Sequence, residues 1–178
     1  MIYSVKKPGE LTESDIKVII KLWENEEWFG LSSDDFKILF KDSEFHLLLD
    51  NENKIASILR LNFDFTLKVS ENLYSFAEMG GFASLQKGKG HGSQLLQLSI
   101  ENITKRNLET IGFCFSDLRP FYEKCNIQIL YDKAKFIQEK DGNNWIISED
   151  DDILIIHLPE EKKNLLKQLN PEQKAYLI

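Results

Sequence analysis

The stretch Phe82-Ala83-Ser84-Leu85-Gln86-Lys87-Gly88-Lys89-Gly90-His91-Gly92-Ser93-Gln94-Leu95-Leu96 joins an apolar run to a leucine-rich one through a turn with glycine at alternate positions. Glycine lacks Cβ, so such a turn folds tightly and lets successive backbone N–H groups point into one concavity. A helix beginning directly behind it contributes its unpaired N–H groups and the positive end of its dipole. Binding an anion is what this arrangement does well, and Lys87 and Lys89 add charge unless they are simply solvated. Two nucleotide-binding patterns fail here. The Walker pattern needs a longer spacing before Gly-Lys-Ser/Thr, and a Rossmann turn needs Gly-x-Gly-x-x-Gly after a first strand. This chain has Gly88-x-Gly90-x-Gly92, well into its strand order.

Upstream of the turn, Tyr74 to Leu85 reads as a strand interrupted by Gly80-Gly81. Paired glycines inside a strand mark a bulge or a close approach by a ligand or backbone. Phe45 to Leu49 and Ile55 to Phe65 flank the polar break Asp50 to Lys54, which predicts a β-hairpin. Earlier still, Thr12-Glu13-Ser14-Asp15 forms a capping box, and Ile16, Ile19, Ile20 and Trp23 follow at helical spacing. A second helix starts at Ser32 or Ser33 and buries Phe36, Leu39 and Phe40, while Met1 to Val5 suits an edge strand.

Downstream, the helix from Gly90 carries Leu96, Ile100 and Ile103 on one face, and Thr110 to Phe115 reads as a strand. Leu118, Phe121, Tyr122 and Cys125 return to helical spacing, with Pro120 tolerable in the first turn. Ile127 to Tyr131, Trp145 to Ile147 and Ile153 to Leu158 supply late strands. The expected fold class is α/β, one mixed domain over 1–159 with a mostly antiparallel sheet and flanking helices. Residues 160–178 are expected to form a helical tail, interrupted by Pro171.

Composition narrows the function. The 178 residues hold 29 acidic against 22 basic side chains, a formal net charge of −7. A nucleic-acid backbone needs a basic face, so no nucleic-acid partner is expected, and an amine is the better electrostatic match. No apolar run approaches the roughly eighteen residues of a membrane span, and no signal peptide is evident, so no membrane partner is expected. Cys114 and Cys125 make no disulfide framework, which suits a reducing cytoplasm. His46, His91 and His157 lack metal-ligand spacing, and no metal is expected.

The stretch from Phe82 to Leu96 resembles the acetyl-CoA-binding motif of the GNAT N-acetyltransferase superfamily, where a strand runs into Gln/Arg-x-x-Gly-x-Gly/Ala and a leucine-rich helix. Lys87 stands at the Gln/Arg place, with Gly90 and Gly92 as the small residues. Pro120-Phe121-Tyr122-Glu123-Lys124-Cys125-Asn126-Ile127 resembles the family's Phe-Tyr-Glu-Lys-x-Gly-Phe segment. Asn126 replaces a helix-ending glycine, a mild exchange because Asn tolerates the left-handed conformation. More loosely, Glu78 on the strand and the ending Asp150 to Pro159 look like aminoglycoside 2′-N-acetyltransferases.

The resemblance implies acetyl-CoA as cofactor and transfer of its acetyl group to a primary amine of a small molecule, such as an aminosugar or polyamine. It implies that Phe82, Ala83 and Ser84 lie along the pantetheine arm. Lys87, Gly88, Lys89, Gly90, His91, Gly92 and Ser93 would hold the pyrophosphate. Glu78 is the candidate base or amine holder, and Tyr122 the candidate acid toward the departing sulfur. Asp151 and Asp152, with Glu149 and Asp150, are candidates to line the mouth for a cationic substrate. Trp28, with Trp23, Phe29 and Phe36, is a candidate wall of the acceptor pocket. The plainer readings are a solvated strand carboxylate, a core tyrosine, a solvated acidic turn and core aromatics. Acetylation of a protein N-terminus or lysine, and a non-catalytic acyl-CoA sensor, are the competing functions; a homodimer is compatible with the family.

Overall fold

The computed structural model describes Met1–Ile178 throughout. In chain order the elements are β1 (Ile2–Lys6), α1 (Glu13–Trp23), α2 (Ser33–Leu39), β2 (Ser43–Leu49), β3 (Ile55–Asn62), β4 (Thr66–Val69), β5 (Asn72–Ser75) and β6 (Ala77–Ser84). There follow α3 (His91–Lys105), β7 (Thr110–Cys114), α4 (Arg119–Lys124), β8 (Gln128–Leu130), β9 (Ile137–Asp141), β10 (Asn144–Ile147), β11 (Asp152–His157), α5 (Glu160–Lys167) and β12 (Ala175–Leu177). The class is mixed α/β with mostly antiparallel sheets and flanking helices. No helix is long and apolar enough to cross a membrane. Two compact units divide the chain: Met1–Asn62 with Met79–Asn102, and Phe63–Glu78 with Ile103–Ile178.

In the first unit β2 pairs antiparallel with both β1 and β3. The expected hairpin is present, its turn tied by Asp50, whose carboxylate accepts from the N–H groups of Glu52 and Lys54. Every residue of β2 is buried. The capping box forms as read: Thr12 accepts from the Asp15 N–H, and Asp15 accepts from the Thr12 N–H. With its end thus satisfied, α1 lays Ile16, Ile19 and Ile20 on the sheet beside Phe36, Phe40 and Phe45. Each fully buried side chain of this kind stabilises by roughly 1.5–3 kcal/mol. Leu39 departs from expectation and is 55% exposed, because the short α2 turns only Phe36 and Phe40 inward.

The single strand expected from Tyr74 to Leu85 is corrected to two. Residues of β5 pair with β4, whereas the N–H of Ala77 donates to the Glu109 carbonyl, so the chain changes partners at buried Phe76. The break expected at Gly80-Gly81 is real but falls on one residue: Gly81 sits at φ +57°, and its carbonyl accepts from Trp23 Nε1 at 2.6 Å.

In the second unit β11 pairs antiparallel with β7 and with β8. A second sheet runs β10-β9-β12-β4-β5. Three of its strands, β4, β9 and β12, were not expected. β4 and β12 are very short, and β9 (IQEKD) is polar along most of its length. The stretch 160–178, expected as a helical tail, instead forms α5 and then the strand β12. Leu166, Leu169 and Ala175 have no exposed surface and pack with Leu67, Val69, Ile111, Ile153 and Ile137. Burial of those three side chains draws the end of the chain into the core of this unit.

Candidate functional site

The glycine turn belongs to the first unit. Gly88 and Gly90 adopt φ +78° and +79°, the left-handed region that a side chain disfavours, and a Cβ added at either would meet nothing within 4 Å. The Gln94 N–H donates to the Gly90 carbonyl at 3.0 Å, so α3 starts there. The N–H groups of His91, Gly92 and Ser93 are then without acceptors inside the helix. His91 Nδ1 is buried and has no hydrogen-bond partner. Gly92 is held close: its Cβ would lie 3.2 Å from Ser84 Oγ and 3.4 Å from the Phe82 ring. Ser57 Oγ donates to the Ala83 carbonyl and accepts from Ser84 Oγ, while the Leu85 N–H donates to the Ala56 carbonyl, which docks the end of β6 against β3. Lys87 and Lys89 are exposed beside the turn.

A cavity of about 390 Å³ in the same unit is lined by Leu22, Trp23, Asn25, Trp28, Arg60, Gly81, Phe82 and Ala83. It joins Trp28 to two of the residues expected along the cofactor. Trp28 meets Trp23 edge-on at 5.2 Å, and the Arg60 guanidinium lies 5.2 Å from the Phe40 ring centroid. Phe36 and Phe29 do not share this cavity. Phe36 has no exposed surface, and Phe29 lines a separate groove with Ile16 and Ile20.

The second unit carries Glu78, Tyr122 and the aspartate run. Pro120 opens α4, and the helix closes in a Schellman motif: Ile127 N–H donates to the Tyr122 carbonyl and Asn126 N–H to that of Glu123. Asn126 supplies the left-handed residue at φ +59°, as its place in the motif predicted. This closure pins the backbone at Tyr122. The side chain is 5% exposed. Burial raises its pKa, and Cys114, Asp150 and Cys125 raise it further. The phenol therefore keeps its proton throughout the physiological range. Cys114 is a buried thiol that desolvation pushes up to about 12.

The aspartates separate sharply. Asp152, expected at the mouth of a substrate site, is fully buried and does not face one. Its carboxylate accepts from Arg119 Nε at 2.5 Å, Arg119 Nη2 at 2.7 Å and the Asp132 N–H at 2.7 Å. A carboxylate buried this deeply needs such donors, and these three hold Asp152 in place as a structural anchor. Asp151 is also engaged. It accepts from the Ser116 N–H at 2.8 Å and pairs with Lys135 at 3.0 Å, which together hold it down to about 2. Asp150 is the exception. It is half-buried. Burial pushes its carboxyl up to about 6, with repulsion from Glu139, Glu78, Glu149 and Asp151 adding to it. Nothing in the acidic run itself reveals which of its members Arg119 and Lys135 claim.

No family model matches the chain, and no curated protein matches its sequence. Solved structures match its fold. A GNAT family N-acetyltransferase from Escherichia coli, solved in complex with CoA, superposes with a TM-score of 0.62 at 10% identity, over 99% of this chain and 87% of that one. Glucosamine-6-phosphate N-acetyltransferase from Arabidopsis thaliana gives 0.51 at 17% identity, over 72% and 92%. A probable N-acyltransferase from Enterococcus faecalis gives 0.53 at 18% identity over 74% of this chain, which spans only 33% of that longer protein. The chain is built on the fold of the GNAT N-acetyltransferases.

Proposed function

We propose that the protein is an acetyl-CoA-dependent N-acetyltransferase acting on a primary amine of a small molecule by direct attack on the thioester. The observation that carries this reading is the turn of Gly88 and Gly90 at the head of α3, in a fold whose E. coli neighbour holds CoA. The open space over both glycines and the unpartnered His91 Nδ1 suit a pyrophosphate there. Bound acetyl-CoA supplies the activated thioester. The N–H groups of His91, Gly92 and Ser93, with Lys87 and Lys89, hold the phosphates. The N–H of Phe82 polarises the thioester carbonyl. With acetyl-CoA and the amine bound, Tyr122 would give its proton to the departing sulfur and Glu78 would lend negative charge to the amine. A cavity of about 390 Å³ walled by Trp23 and Trp28 suits a small acceptor. The aminosugar named for the Arabidopsis neighbour supports that class.

Titration calorimetry with acetyl-CoA tests the cofactor half. Wild type binds with micromolar affinity, and Gly90→Asp binds about 100-fold more weakly, since its carboxylate enters the phosphate cradle. Asp tolerates positive φ better than most residues, so the variant folds. A folded wild type that binds neither acetyl-CoA nor CoA would sink the reading. Turnover of glucosamine, spermidine and a peptide with a free N-terminus then separates a small-molecule enzyme from a protein acetyltransferase, and binding without any turnover marks a sensor. With the accepted amine, Tyr122→Phe lowers kcat by about 100-fold with KM nearly unchanged, as removal of a group acting only in the transition state requires.

A further inference from the structure

Within the first unit, the cavity of about 390 Å³ has one ionisable side chain in its wall, Arg60, among Leu22, Trp23, Trp28 and Phe82. Arg60 comes from β3, where Ile58, Leu59 and Leu61 around it have no exposed surface, and its register partner on β2 is the equally buried Phe45. Its guanidinium lies 5.2 Å from the ring centroid of Phe40, itself 4% exposed. A leucine at this place would pack on the aromatic cluster with no charge to desolvate, whereas a guanidinium beside buried rings costs free energy unless its donors are used. Arg60 makes a further contact inside the protein, and a planar fork of five donors can serve that contact and a ligand at once. Acceptors in the wall, by contrast, are already engaged. The Gly81 carbonyl takes Trp23 Nε1 at 2.6 Å, Asn25 Oδ1 takes the Glu27 N–H at 3.0 Å, and no carboxylate lines the cavity. A second ammonium placed there meets a guanidinium, while a phosphate or carboxylate meets a donor fork of the right geometry. The formal net charge of −7 does not oppose this. Exposed charges farther than about 10 Å are largely screened at 0.1 M salt, so the group in contact decides recognition.

Granted the acetyltransferase reading, on which this rests, we propose that Arg60 selects acceptors that carry an anionic group, a phosphate or a carboxylate, besides the reacting amine. The substrate class is then an amino sugar phosphate or an amino acid rather than a polyamine. Phe82 and Ala83 belong both to this cavity and to the segment proposed along the pantetheine arm. An acceptor anchored at Arg60 therefore lies against the strand that would carry the thioester. Arg60 determines specificity by holding a part of the acceptor that does not react, and binding at such a remote group orients the amine for attack.

Two matched pairs of amines test this: glucosamine 6-phosphate against glucosamine, and lysine against cadaverine, which lacks only the carboxylate. In at least one pair, wild type turns over the anion-bearing member with a kcat/KM about 100-fold higher, the difference lying mainly in KM. A preference in the sugar pair alone names a phosphate, and one in the lysine pair alone a carboxylate. Arg60→Met removes most of the preference by raising KM for the anion-bearing member. Arg60→Lys recovers part of it, since it keeps the charge and loses the fork. Titration calorimetry of the same amines into CoA-saturated protein gives a readout without turnover: the preferred amine binds wild type, and binds Arg60→Met about 100-fold more weakly. The acetyl-CoA affinity and urea midpoint of the variant establish that it is folded. Equal kcat/KM within both pairs, no binding of either anion-bearing amine to CoA-saturated wild type, or a folded Arg60→Met that keeps the wild-type preference overturns the assignment of Arg60 and leaves the acetyltransferase reading standing. A folded wild type that binds neither acetyl-CoA nor CoA overturns both.

Discussion

Asp152→Ala is expected to destabilise the protein by about 1.5–3 kcal/mol, the loss of charge-assisted hydrogen bonds, read as a drop in the urea midpoint. Asp152 has no exposed surface and lies at the start of β11, opposite Cys114 of β7. Its two oxygens receive three hydrogen bonds, two of them from a guanidinium in fork geometry. Removing the carboxylate leaves the Asp132 N–H and the inward edge of Arg119 without acceptors. Arg119 cannot relieve this by losing its proton, since its pKa is raised further by the partner it would lose. The remaining contacts of Arg119, to Asp132 at 3.3 Å and over the Tyr131 ring at 5.1 Å, lie on its more exposed side and compensate little. A loss below about 1 kcal/mol would mean that the pair behaves as a surface salt bridge. The partner change Arg119→Met, combined with Asp152→Leu, should recover much of the loss, because an apolar pair leaves no charge behind.

Gly81→Ala is expected to cost about 3 kcal/mol, with a change in tryptophan emission. Two effects act together. A side chain at φ +57° is strained by roughly 1–2 kcal/mol. The added Cβ would also lie 2.7 Å from the Trp23 ring, where overpacking costs about 1–3 kcal/mol. The indole cannot retreat freely, for it packs against Trp28, Phe36, Phe40 and Phe45 and donates to the Gly81 carbonyl. Gly9→Ala provides the control: it has open space and no positive φ, and should stay within about 0.5 kcal/mol of wild type. Equal stabilities for the two variants would contradict the close approach of Trp23. Because Gly81 and Trp23 also line the cavity of about 390 Å³, the same substitution reshapes the proposed acceptor pocket.

Much of the fold was legible in one dimension wherever the signal was local. The capping box at Thr12, the hairpin about Asp50 to Lys54, the start of α3 behind Gly90 and the left-handed Asn126 each depend on residues within a few positions of one another. Short-range sterics and hydrogen bonding decide such features, so residue type and spacing suffice. The strands β4, β9 and β12 were missed for the opposite reason. Their residues carry little pattern of their own, and β12 exists because β4 and β9 pair with it from far along the chain.

The same division runs through the candidate site. By itself the sequence determined the glycine turn, the strand leading into it, the Tyr122 segment and the presence of an acidic run, because each is a contiguous motif. Only the tertiary structure decided which acids in that run are engaged. Arg119 lies 33 positions from Asp152 and satisfies it, and Lys135 does the same for Asp151. For Asp150, burial and then the negative charges of Glu139 and Glu78 push the carboxyl up to about 6. Charge is set by residue type, but desolvation and pairing are set by what the fold brings near, and those forces separate three adjacent aspartates into two held by cations and backbone donors and one whose carboxyl is pushed above the ordinary range.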